Sequence, residues 1–103
     1  MLIYKILLPD EWSQFEAAGR FDGSPFDASS GFVHCSSGEQ VPATAVRYFA
    51  DAGELVVVAL DTAKLGETVR WENSFPHVYG PLPAAAVVEI RRFADARSLE
   101  FER

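Results

Sequence analysis

Leu55-Val56-Val57-Val58-Ala59-Leu60 is an unbroken aliphatic run in a chain of 103 residues. A strand with one wet face would carry a polar residue at every second position, so this one reads as a central strand covered on both faces. It anchors the core. Working outward, Leu2-Ile3-Tyr4-Lys5-Ile6-Leu7-Leu8 has the bulky aliphatics of a second strand, and Pro9-Asp10-Glu11 supplies the proline and carboxylates of a first helical turn. Trp12 and Phe15, with Ala18 or Gly19, fall at three-to-four spacing, which turns one apolar stripe toward the sheet and stops the helix at Gly19. Residues 20–31, with their glycines, Pro25, Asp22, Asp27, Ser29 and Ser30, read as a loop.

Gly31-Phe32-Val33-His34-Cys35-Ser36 predicts another short strand. Ser37-Gly38-Glu39-Gln40 then matches a cap residue followed three later by Gln, opening a helix whose apolar face is Val41, Ala45, Tyr48, Phe49 and Ala52 and whose end is Gly53. Beyond the central strand, residues 62–66 make one helical turn, residues 68–72 and 87–93 are strands, and Pro76, Pro81 and Pro83 break the chain between them. Strands mixed with two helices, without regular alternation, predict a single α+β domain over residues 1–103 with a bent or split antiparallel sheet.

Composition bounds the function. Fifteen acidic residues against nine basic ones give a net charge of -6, which repels long nucleic acids and anionic membranes. Arg91, Arg92, Arg97 and Arg103 interleave with Glu89, Asp95, Glu100 and Glu102 as a mixed solvated face. One cysteine makes no internal bridge, and the first apolar run is too short for a signal peptide or a spanning helix, so a cytoplasmic location is expected.

Two polar clusters stand out. In His34-Cys35-Ser36-Ser37, strand alternation sends His34 and Ser36 to one face and Val33 and Cys35 to the core, which makes Cys35 a small buried hydrophobe rather than a nucleophile. His34, just before a predicted helix N-terminus, is placed either to hold a polar ligand or to satisfy a backbone carbonyl. The richer cluster is Arg70-Trp71-Glu72-Asn73-Ser74-Phe75-Pro76-His77-Val78-Tyr79-Gly80, with a carboxylate, an imidazole, an indole and a phenol in close succession. Arg70 and Glu72 share a strand face, which lowers the carboxylate pKa or makes an ordinary surface ion pair, and His77 and Tyr79 share another. Two histidines and a glutamate are also a zinc set, but no H-E-x-x-H spacing is present and no metal is expected.

These residues carry a resemblance. Ile3-Tyr4-Lys5-Ile6, Gly31-Phe32-Val33-His34-Cys35-Ser36-Ser37 with Glu39-Gln40-Val41, Arg70-Trp71-Glu72, and Phe75-Pro76-His77-Val78-Tyr79-Gly80-Pro81-Leu82 together resemble a small, mostly bacterial domain family of unknown function. The resemblance implies an α+β fold like that of the ADP-ribosyltransferases, two packed antiparallel sheets with a cleft and two short helices. It further implies a cleft that binds NAD or a related nucleotide, whose nicotinamide-ribose bond breaks through an oxocarbenium-like state. Glu72 is then the carboxylate near the developing charge, with His34 and His77 as the other catalytic candidates. Ser36, Ser37, Trp71, Tyr79, Arg70 and Tyr4 are the cofactor-binding candidates, and Trp71 or Tyr79 would stack on nicotinamide. Tyr4-Lys5 departs from the histidine-glycine or arginine signature of those transferases, and RNA 2′-phosphotransferases of the same fold rely on basic and histidine side chains instead. A non-catalytic module binding a nucleotide or small polar ligand, and a structural domain whose motifs only hold the fold, are the competing readings.

Overall fold

The structure, a computed structural model, describes residues 1–99. Its axis is β4 (Leu55–Asp61), flanked antiparallel by β1 (Leu2–Leu7) and β8 (Val87–Phe93). Leu55 and Val57 point into one apolar cluster with Ile6, Val41 and Ala45, while Val56, Val58 and Leu60 point into another with Ile3, Leu7, Trp12, Phe15 and Val78. Both faces of the strand are therefore covered, which is why its sequence shows no alternation.

The larger cluster lies under α1 (Pro9–Ala18) and two further antiparallel units. One is a ribbon of β2 (Arg20–Phe21) with β7 (Leu82–Pro83), and the other is a sheet in the order β3 (Val33–His34), β6 (Phe75–Val78), β5 (Val69–Glu72). The smaller cluster lies under α3 (Val41–Phe49). A bridge between Tyr4 and Ser36, with hydrogen bonds of 2.7 and 2.8 Å, ties β1 to the chain just past β3 and so joins the two three-stranded sheets. Among the described residues, no helix is long and apolar enough to cross a membrane.

Several elements match their sequence signals. α1 has Pro9 in its first turn, a Glu11 carboxylate accepting from the Leu8 N–H at 2.9 Å, and Gly19 in the left-handed region at its end. Three readings need correction. Residues 20–31 are not a loop: they hold β2 and a third α-helix, α2 (Pro25–Ser30). Ser24-Pro25-Phe26-Asp27 is a capping box with proline at the first helical position, so the sequence pattern was complete but hidden among turn residues. Ser37 to Gln40 form a turn before α3 rather than its first residues, with the Gln40 side-chain carbonyl accepting from the Ser37 N–H at 2.8 Å. Pro76 does not break the chain: it is buried within β6, the middle strand of its sheet. Of the charged C-terminal face, Glu100, Glu102 and Arg103 lie outside the described residues.

Candidate functional site

Asp27 is the hub of the site. α2 turns its carboxylate inward, where it is 2% exposed and makes five contacts with four polar groups. The Lys5 ammonium donates at 2.9 and 3.2 Å, the Ser24 and His34 backbone N–H groups at 2.9 and 3.0 Å, and the His34 ring Nδ1 stands at 2.6 Å. Burial alone would push this carboxyl up, but the Lys5 charge together with the Ser24 and His34 hydrogen bonds outweighs it and holds the pKa at about 2. The Lys5 ammonium also donates to the His34 carbonyl at 2.8 Å, so one buried cation fixes both members of the pair. An ionised Asp27 beside Nδ1 places the ring proton on Nδ1, which leaves Nε2 as the base.

His77 has a similar arrangement on the neighbouring strand. Its Nδ1 lies 2.8 Å from the Glu72 carboxylate, to which the Tyr79 hydroxyl also donates at 2.5 Å. The hydrogen bonds from Tyr79 and His77 hold the Glu72 carboxyl below its usual range, and the same contact raises the Tyr79 phenol. Arg70, the neighbour expected to lower the Glu72 carboxyl, does so only as the smallest contribution. Its guanidinium lies over the Tyr79 ring, 5.9 Å from the centroid, and contributes only a weaker electrostatic pull.

Aromatic rings lock the two imidazoles together. Phe32 stacks on His77 at 3.9 Å and lies 4.4 Å from His34, while Phe26 stacks on the His34 ring at 4.4 Å. The imidazole centroids are 6.3 Å apart. Both line a hollow of about 520 Å³ bounded by β1, α2, β3, α3 and β6, with Phe26, Tyr48, Phe49 and Phe75 supplying much of its wall. The volume is that of a small-molecule site.

The expected site residues divide. His34, His77 and Ser36 line this hollow; Glu72 and Tyr79 reach it only through His77, and neither is part of its wall. Ser37, Tyr4, Arg70 and Trp71 are outside the lining as well. Tyr4 packs on the α3 cluster, and Trp71 alternates away from Glu72 on β5 and is 47% exposed. His34 does not precede a helix N-terminus; its partner comes from α2, earlier in the chain. The zinc set is not assembled, since His34 belongs to Asp27 and His77 to Glu72, and among the described residues no group of three metal-ligating side chains is placed to hold an ion. Cys35 is buried, and desolvation pushes its thiol up to about 12, which excludes a resting thiolate nucleophile.

Sequence reasoning missed Asp27, Lys5, Phe26 and Phe32. The capping box Ser24 to Asp27 and the i, i+2 relation of Phe32 to His34 were the available signals.

Comparison with known proteins gives a consistent placement. The profile of the family described as "Protein of unknown function (DUF952)" matches residues 6–90, and the chain belongs to that family. The crystal structure of protein CC0527 from Caulobacter crescentus is similar, with 41% identity over 93% of this chain and 91% of that one and a TM-score of 0.85. A double mutant of CC0527 matches at 40% identity over the same shares with a TM-score of 0.85. Its solution structure matches at 42% identity over 87% of this chain and 82% of that one, with a TM-score of 0.76. No curated protein matches the chain.

Proposed function

We propose that this DUF952 protein is a small acid-base enzyme of the ADP-ribosyltransferase-like kind that acts on NAD or a related nucleotide bound in the hollow. The observation that carries the reading is the Asp27-His34 pair, at 2.6 Å, presented on an aromatic wall beside a second carboxylate-held imidazole. Two antiparallel three-stranded sheets beside a cleft support the fold half of the reading.

In this reaction the bond between the nicotinamide nitrogen and ribose C1′ breaks, and nicotinamide leaves with the electron pair. An acceptor hydroxyl attaches at C1′, and His34 Nε2 takes its proton. Aromatic groups such as Phe26 and Tyr48 stack on a planar ring, and His77 contacts the substrate from the other side. Glu72 acts through His77 and Tyr79 and is a positioning residue. The test is release of nicotinamide from labelled NAD, with candidate acceptors present. His34→Ala is expected to lower turnover by roughly 10²-fold or more, and turnover that is unchanged in this variant overturns the reading.

A second reading has its own support: the Glu72 carboxylate is occupied by Tyr79 and His77 and is not part of the wall. A non-catalytic nucleotide-binding module fits that arrangement, and its mark is a ligand-dependent rise in Tm with no turnover.

A further inference from the structure

Ser36 is 4% exposed and lies on the wall of the hollow. Its backbone is fully committed to the bridge with Tyr4, yet no hydrogen bond joins its hydroxyl to another described residue. The hydroxyl oxygen is not sealed inside the protein but opens onto the hollow, where it can pair with a ligand without a protein bond being broken. The charges of the wall add a second constraint. Its one lysine or arginine, Lys5, is 7% exposed and neutralised by Asp27, and the remaining formal charge on the wall is the Glu11 carboxylate. Arg47, outside the wall, lies over the Tyr48 ring at 5.3 Å. A multiply charged phosphate group entering the hollow would meet no unpaired lysine or arginine there, against a chain of net charge -6.

We infer that the hollow recognises the nucleoside part of its ligand, a planar base joined to a hydroxyl-bearing sugar, with Ser36 as the buried polar anchor and any phosphate left in water. The inference rests on the nucleotide reading above and names which part of that ligand is bound. The rings of Phe26 and Tyr48 take the planar group, and the Ser36 hydroxyl pairs with a ligand hydroxyl deeper in the hollow.

The experiment is calorimetric titration of the intact protein with adenosine, AMP, ADP and NAD at two salt concentrations, repeated on Ser36→Ala. Affinities across the series are expected to agree within about threefold and to change little with salt. Ser36→Ala is expected to weaken adenosine binding about tenfold, with Tm unchanged within about 2 °C because the hydroxyl has no protein partner to lose. Tenfold tightening with each added phosphate would overturn the inference while leaving the nucleotide reading intact. Binding to no member of the series would overturn both. Undiminished adenosine binding by Ser36→Ala, or a drop of several degrees in its Tm, removes Ser36 as the anchor.

Discussion

Asp27 is a carboxylate that the fold keeps charged at 2% exposure, and its cost and its use have the same origin. Removing its charge leaves the Lys5 ammonium in the core without a counter-ion, with only neutral groups such as the His34 carbonyl beside it. Asp27→Asn is therefore expected to cost about 3–5 kcal/mol in urea denaturation. Acid gives the complementary result. The carboxyl titrates at about 2 in the folded protein against an ordinary 3.8, so the folded state binds its proton later than the unfolded chain does. The stabilisation, about 2 kcal/mol, is complete above the unfolded value and is lost as pH falls from 3.8 toward 2. Denaturation midpoints measured across that window should fall in the wild type and lose this slope in Asp27→Asn. The sequence displayed His34 plainly, because a histidine between apolar strand residues is conspicuous. It concealed Asp27, since an aspartate among serines and glycines looks like turn chemistry until the helix that aims it inward is recognised.

The β5-β6 hairpin shows a similar limit among elements. Glu72 pairs with Phe75, leaving a two-residue connection of Asn73 and Ser74 with φ of 53° and 70°. Turns with positive φ at both central residues suit hairpin twist, but they favour Asn-Gly, and a serine in that region is strained. Ser74→Gly is expected to raise stability by about 0.5–1 kcal/mol, read from the denaturation midpoint. Its carbonyl still accepts the Gln40 side-chain amide at 2.6 Å, so the variant keeps that tether. Asn-Ser is a weak hairpin signal and Pro76 argues against a central strand, which explains why β6 was not legible while β5 was. Proline is tolerated there because the hydrogen bond on its β3 side uses its carbonyl, which accepts from the Cys35 N–H at 3.2 Å. Without β6, the sequence offered no physical reason for His34 and His77 to stand in register across two strands, as they do.

In the whole molecule, the two apolar clusters share β4 and its neighbour β1, and neither face of β4 can be exposed without disturbing the other. Unfolding is expected to be one transition. In a Trp71→Phe variant, Trp12 fluorescence reports the larger cluster, and its midpoint should coincide with that of far-UV circular dichroism. The aliphatic run from Leu55 to Leu60 revealed this much from sequence, because double-sided burial writes itself as missing alternation. The pairing of distant segments left no such local trace, and the Tyr4-Ser36 bridge is the clearest instance. That bridge works as a seam beneath the hollow. To widen there, the protein would have to unpick backbone pairing between its two main sheets, so room for a bulkier guest must come from the other side, where the six-residue α2 is held down by its own cap and by one buried carboxylate.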